Sequence, residues 1–479
     1  MSDSKRASWS GSLGFILAAA ASAIGLGNLW RFPYLAAQYG GGIFIAVYLM
    51  LVMTFGYTLM VTEIAVGRKT CQSQINAYSL LHPGWGFLGV LGTIVPLIIV
   101  SYYCVIGGWV LRYFVAYCQC VFFGVDAFGS EAAMSADFFK QFISDDWLPF
   151  IYTVVFLFSG VGINFLGVKR GIEKSNFVLM PLLFFMMIAI CVYVITLPGA
   201  IDGLKYYLIP DLESWKGEDG NFSWVLAAKT FLGAMGQMFY SLSLAMGIMV
   251  TYGSYMKKSS SINGCARRIG VCDTVVSVLS GLMIVPVVYL FAVKTNTPIH
   301  EAMGAGPGLM FITLPKVFAS LGPSGAWVGL VFFALVIFAA VTSVISLFEA
   351  CAAPVCDRFH LKRPVAIVAT LGVVIALSTF SAFGYGQWKS LTFFGMSALD
   401  FFDFITNSVV MPVIATLTCI FIGWIVKVKV IVDEVELNSN TFRTKYFYSF
   451  MVKYFAPLLV CAILISEVCR FFGIGGWSI

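Results

Sequence analysis

Apolar residues run along this chain in long blocks, most of them of about 20 residues or more, separated by short polar segments rich in Gly, Pro and charge. An apolar helix of that length crosses the hydrocarbon core of a bilayer. The blocks fall near 12–37, 41–67, 88–122, 148–166, 174–197, 223–256, 264–294, 325–357, 363–383, 395–426 and 446–471, which predicts eleven helical spans. Several exceed what a bilayer needs and are expected to tilt or break. Two longer connections, 198–222 and 295–324, carry Pro, Gly and short amphipathic stretches such as 314–318, and predict structured caps on one face.

Composition removes the soluble alternative. Of 479 residues, 60% are hydrophobic and 11% charged, where a soluble protein carries about 25% charge. The net charge of +6 would suit a nucleic-acid partner until its residues are placed. Lys and Arg gather in alternate connections: Lys5 and Arg6, Arg68 and Lys69, Lys169 and Arg170, Lys257 and Lys258, Arg358 to Arg363, and Lys427 to Lys445. The opposite connections hold Asp126, Asp145, Asp146, Asp202, Asp211 and Glu213. This asymmetry predicts a multi-pass plasma-membrane protein with a cytoplasmic N-terminus. An odd number of spans then puts the C-terminus outside, and no nucleic-acid partner is expected. The 12 cysteines lie mostly inside apolar runs and read as buried free thiols.

Two blocks are interrupted. Gly25-Leu26-Gly27-Asn28 falls within the first span and Ser241-Leu242-Ser243-Leu244-Ala245-Met246-Gly247 within the sixth. Small residues can simply bring helices close together. Alternatively, a helix broken at matching positions of two halves frees carbonyls and half-helix ends at the membrane midplane, the construction of a transporter binding site. Both readings are open from the pattern alone.

The stretch from Ser12 through Gly25-Leu26-Gly27-Asn28-Leu29-Trp30-Arg31-Phe32-Pro33-Tyr34 resembles the first-span signature of the neurotransmitter:sodium symporters. Glu63-Ile64-Ala65-Val66-Gly67-Arg68, Tyr102-Tyr103, Gly236 to Ser243, Thr251 to Tyr255 and Phe311 to Pro315 match the same family, and the likeness runs from about residue 5 to 470. The resemblance implies an all-α polytopic membrane protein of the LeuT type: two inverted five-helix repeats with helices one and six broken, plus one further span. It divides the chain into a cytoplasmic segment 1–11 with an inner gate, a first repeat 12–197 and an extracellular loop 198–222. A second repeat 223–426, a cytoplasmic loop 427–445 and a last segment 446–479 follow.

The same resemblance implies two Na⁺ sites. The first would use the Ala23 carbonyl, Asn28, Ser241 and Asp273, completed by a substrate carboxylate. The second would use the Ala21, Ile24 and Ala339 carbonyls with Thr342 and Ser343. Read alone, that hydroxyl pair would more often bond its own helix. Family members commonly hold Asn where Asp273 stands, and the chloride-dependent ones place an anion close by. Here Tyr48, Gln237, Ser241 and Ser277 would surround that anion, so Asp273 is expected to ligate Na⁺ and replace Cl⁻. The alternative is a protonated or solvent-facing Asp near the end of span seven.

Gly25 stands where amine carriers of the family place an acid, which favours an α-amino acid substrate. The resemblance implies a pocket from Ala23, Gly25, Leu26, Gly27, Ile99, Tyr103, Ile106, Tyr240, Ser241, Ser243, Met246, Ser343 and Leu347. It holds no acid or base, and Met246 suits a bulky aliphatic or aromatic side chain. Arg31 and Asp403 match an outer gate, with Asp400 as competing partner; Arg6, Trp9, Tyr255 and Asp357 match an inner one. Glu63 is expected to brace the broken helices, while Glu349 and Glu467 receive no role.

The expected function is sodium-coupled, chloride-independent import of a neutral L-amino acid by alternating access. The alternative is a sensor on the same fold that binds but does not transport. An enzyme is not expected: His-Glu-x-x-His, Gly-x-Ser-x-Gly and phosphate-binding loops are all missing from the sequence.

Overall fold

In lipid a helix is the open-chain way to satisfy every backbone amide from within. The computed structural model describes residues 7–128, 134–217, 220–304 and 306–471, so Arg6 lies outside the described residues. Nine continuous helices in it are long and apolar enough to cross a membrane: Gly42–Thr70, Gly86–Phe123, Leu148–Phe165, Val168–Ile195, Ile262–Thr295, Pro323–Phe359, Arg363–Phe383, Ala398–Ile425 and Lys445–Cys469. A tenth is the first span, Ser12–Ala23 and Gly27–Gln38, whose halves meet at 55°. The segment expected as the sixth span is also broken, into Trp224–Ser241 and Ile248–Ser254 with an interruption at 242–247. The caps foreseen between spans contain short helices, Ala200–Leu208 and Leu314–Ser320.

The broken spans lie at the centre of the bundle. Span two packs along the second half of span six, and glycines set the approach. A Cβ at Gly253 would stand 2.5 Å from the Ile64 carbonyl, and one at Gly67 would collide with the Val250 carbonyl. Small residues of this kind let backbones meet where lipid supplies no hydrophobic drive.

Prolines inside spans three and eight raise a problem that a single side chain solves. Pro96 and Pro354 have no N–H, so the carbonyls four residues earlier, on Gly92 and Ala350, lose their helical donors. Gln74, buried in the short helix after span two, donates its side-chain amide to both, at 2.8 Å to Gly92 and 3.3 Å to Ala350. Its own oxygen lies against Gly247, where any Cβ would collide with it.

On the face where the basic loops lie, Arg68 is buried and pairs with Glu434 of the connection between spans ten and eleven, Nε to Oε1 2.8 Å. It also donates to the Ser260 carbonyl at 2.6 Å and to the Glu434 carbonyl. Lys258 reaches the same carboxylate at 3.0 Å, so three connections are tied by one acid.

Gln74→Leu should strand both proline-freed carbonyls. An unmet buried acceptor costs roughly 1–3 kcal/mol, so a melting temperature several degrees below wild type is expected in detergent. An unchanged melting curve would show that the carbonyls find other donors.

Candidate functional site

The first span stops because Ile24 leaves the helical region, with φ −83° and ψ 104°. Gly25 and Leu26 bridge to the second half. Their freed groups are met by side chains: the Gly25 N–H donates to Asn28 Oδ1 at 3.0 Å and the Leu26 N–H to the Tyr103 hydroxyl at 3.4 Å. In the sixth span, Ser243, Ala245 and Gly247 take positive φ of 53°, 58° and 68°. That geometry suits Gly and strains a residue with a Cβ. It is held from outside the helix. Glu63 Oε1 accepts from the Ala245 N–H at 2.7 Å, and Ser243 Oγ donates to the Ser22 carbonyl at 3.0 Å, joining the two breaks.

Around Asp273 the expected residues converge. Tyr48 donates to Oδ2 at 2.6 Å and Ser241 to Oδ1 at 2.6 Å. The Asn28 amide nitrogen lies 2.8 Å from Asp273, 2.8 Å from Ser241 and 2.9 Å from Ser277. Asp273 is fully buried in span seven, so the solvent-facing alternative is excluded by its position. Gln237 does not join this cluster; its amide donates to the Gly27 carbonyl at 3.2 Å, which also accepts the Phe32 N–H. At the facing position, Ser343 Oγ lies 3.3 Å from the Ile24 carbonyl and 3.2 Å from that of Ala339. Thr342 bonds the Ala339 carbonyl at 2.9 Å, and Ala21 is buried one turn before the break. The hydroxyls thus back-bond their own helix, and Ser343 also reaches across to the break.

A narrow cavity of about 30 Å³ lies between the breaks. Its wall is made by Ala23, Gly25, Leu26, Gly27, Asn28, Ile99, Tyr103, Tyr240, Ser241, Ser243, Met246, Ser343 and Leu347, with Ser22 in addition. Ser22 escaped the sequence reading because a serine in an Ala-rich run carries no local mark. Ile106 belongs elsewhere. One turn along span three from Tyr103, it faces a vestibule of about 370 Å³ beyond the Tyr240 ring.

Arg31, Asp400, Asp403 and Glu467 line that vestibule. The Arg31–Asp403 contact is not made: among the described residues Arg31 has no ion pair, and its guanidinium sits over Tyr240, 6.0 Å from the ring centre. Asp403 accepts from Asn407 at 2.7 Å, Asp400 from Ser397 at 2.7 Å, and Glu467 from Ser408 at 3.1 Å. On the basic face, Trp9 is buried against Tyr252 and Tyr255 and donates its indole N–H to the Tyr252 carbonyl at 3.0 Å. Asp357 accepts from the Ser73 N–H at 2.8 Å. Glu349 has the fullest partner set: Arg363 at 2.5 and 2.8 Å, the Tyr255 hydroxyl at 2.8 Å and Asn164 at 3.2 Å. Its pairing went unseen because Arg363 reads in sequence as one more orienting charge.

Two broken helices, oxygen-rich at the breaks and enclosing a small apolar cavity, define a transporter of the inverted-repeat class. The model of the Sodium:neurotransmitter symporter family matches residues 6–122 and 149–475, and the chain belongs to that family. It is 30% identical over 482 residues to an uncharacterized sodium-dependent transporter of Haemophilus influenzae, covering 97% of this chain and 98% of that one. It is 32% identical over 473 residues to the uncharacterized sodium-dependent transporter YhdH of Bacillus subtilis, covering 98% and 99%. The crystal structure of MhsT in complex with L-phenylalanine superposes with a TM-score of 0.82 at 32% identity, covering 96% of this chain and all of that one. The protein is therefore a multi-pass, sodium-dependent transporter with the LeuT-type architecture, not an enzyme.

A Cβ at Gly27 would meet the Tyr240 ring at 2.6 Å. Gly27→Ala is expected to displace that ring and lower sodium-dependent uptake in proteoliposomes at least about tenfold, a loss of 1.4 kcal/mol. Gly162→Ala, whose Cβ meets nothing within 4 Å, should leave uptake near wild type. Equal uptake by the two variants would separate Tyr240 from the transport path.

Proposed function

We propose that this chain is a symporter for a neutral, bulky aliphatic or aromatic L-amino acid, driven by Na⁺ and independent of Cl⁻. One observation carries the reading: a single cavity touches both helix breaks, the Tyr103 hydroxyl and the Asn28–Ser241 pair, and no acid, Lys, Arg or His lines it. An α-carboxylate would lie at the Gly25–Gly27 turn, drawn by the half-helix N-terminus and donated to by Tyr103. The α-amino group would meet carbonyls of the unwound segments and Ser241 or Ser243. The apolar wall of Ile99, Met246 and Leu347 would take the side chain, and the neighbour's complex with L-phenylalanine supports a substrate of that size.

Two ions fit the oxygen sets. The Ala23 carbonyl, Asn28, Ser241 and Asp273 would hold the first beside the substrate carboxylate. The Ala21, Ile24 and Ala339 carbonyls with Thr342 and Ser343 would hold the second. The substrate then completes the first ion's shell, and each raises the other's affinity by the same factor. Asp273 brings a negative charge among Tyr48, Ser241 and Ser277, donors of the kind that would otherwise receive an anion.

Alternating access requires closure at each end. We assign the outer gate to Arg31 across from Asp403 and Asp400 over the Tyr103–Tyr240 lid, and the inner one to Trp9, Tyr255 and Asp357 with Arg6. The N-terminus is then cytoplasmic, the C-terminus extracellular, and residues 12–197 and 223–426 form the two repeats that rock against each other. Glu63 holds the sixth span's break in shape.

In proteoliposomes, an inward Na⁺ gradient should drive uptake of Leu, Met, Phe, Tyr or Trp, with or without Cl⁻, and leave Lys and Asp outside. Substrate binding without uptake for every amino acid would make the protein a sensor. Asp273→Asn should lose uptake in chloride-free buffer and regain part of it when Cl⁻ is added; undiminished chloride-free uptake by this variant would defeat the charge-replacement idea. Tyr103→Phe removes a donor to a charged group, worth about 1.5–3 kcal/mol, so its KM should rise at least about tenfold.

A further inference from the structure

The connection between spans ten and eleven folds as a short helix, Lys429–Val435, and leaves a cleft of about 480 Å³ between the end of one span and the start of the next. Lys427, Lys429, Lys445 and Lys453 line it. The acids close by do little to neutralise them. Glu436 pairs with Lys445 at 3.5 Å, Glu434 is turned toward Arg68, and Asp433 is exposed outside the cleft. Among the described residues, Lys427, Lys429 and Lys453 make no ion pair. Lys427 also holds a positive φ of 73°, a conformation that costs a side-chain-bearing residue about 1 kcal/mol.

The aromatic side chains around these charges are arranged for a particular environment. Trp424 is 56% exposed and Tyr446 83% exposed, both on the cleft wall. Trp424 donates its indole N–H to the Lys453 carbonyl at 3.2 Å and meets Tyr454 edge-on at 5.6 Å. Phe450, one turn before Tyr454, is 54% exposed beside it. Exposed aromatics with anchored polar edges at the ends of spans mark the headgroup level of a membrane. A soluble anion would satisfy the lysines and leave these rings bare. An acyl chain attached to the anion would cover them.

We propose that this cleft is a binding site for an anionic phospholipid, its phosphodiester held by Lys427, Lys429 and Lys453 and its first methylenes lying on Trp424, Phe450 and Tyr454. Basic pockets between membrane helices select anionic headgroups in this way. The proposal is independent of which substrate the central cavity takes and of which leaflet the basic loops face.

Native mass spectrometry of the purified full-length protein, titrated with phosphatidylglycerol and phosphatidylcholine of equal chain length, tests it. Each lysine near an anionic surface is worth about a fivefold change in binding. Wild type should retain phosphatidylglycerol at least about tenfold better, and Lys427→Gln/Lys429→Gln/Lys453→Gln should lose that preference. Lys205→Gln/Lys216→Gln, at the opposite end of the bundle, should keep it. The triple Lys→Arg variant should keep it too, which separates lost charge from lost structure. Equal retention of the two lipids, an unaffected Gln triple, or an Arg triple that fails along with the Gln triple would overturn the proposal. So would displacement of the lipid by millimolar inorganic phosphate, since the cleft would then be a site for soluble anions.

Discussion

Backbone amides cannot be left unmet inside a bilayer, and each break in a span must therefore be supplied with partners from elsewhere in the protein. The first and sixth spans both stop within the bundle, and the partners are specific: Asn28 and Tyr103 accept the freed amides of one break, Glu63 accepts one of the other, and Ser243 donates across to the Ser22 carbonyl. The same logic reaches the prolines, whose stranded carbonyls are met by Gln74. Because Tyr103, Glu63 and Gln74 sit on neighbouring helices, the breaks hold their shape only while the bundle is assembled around them. Glu63 adds a reserve: its second carboxylate oxygen has no partner among the described residues.

Charge is distributed on the same principle. A carboxylate within the membrane is costly unless paired or bonded. Asp273 has Tyr48, Ser241 and Asn28; Glu349 has Arg363, Tyr255 and Asn164. The two clusters differ in kind. Glu349 is matched by a cation and bonds Tyr255, the ring that packs against Trp9. Among the described residues, Asp273 has only neutral donors. Truncating Arg363 would leave the buried Glu349 carboxylate without its cation.

Much of this was legible in the residues because it is local. Long apolar runs mark spans, and Gly25-Leu26-Gly27-Asn28 and Ser241 to Gly247 mark breaks through residues that a helix disfavours. The cavity lining could be listed almost complete once those motifs were matched; Ser22, next to Ala23, was missed, and Ile106 lies a turn beyond Tyr103 in the vestibule. Long-range pairing was not legible. Nothing near Gln74 announces that it serves two prolines, 22 and 280 residues away by subtraction of their numbers. Arg363 resembles every other charge at the end of a span. The open Arg31–Asp403 pair depends on how far two helices stand apart, a distance that sequence does not carry.

Span three joins regions that are otherwise treated separately. At 38 residues it is about 57 Å long, nearly twice the thickness of the hydrocarbon core. Ile99 and Tyr103 form part of the cavity wall, while Trp109 packs above it against Phe311 of the cap, and Tyr113 and Tyr117 against Phe139 and Phe128 of the connection to span four. Cavity and cap are thus two points on one rigid mast. A tilt of about 10° pivoting at Tyr103 would carry the Tyr117 end roughly 4 Å sideways. A small adjustment around a bound molecule is thereby magnified at the rim, with no separate messenger between them.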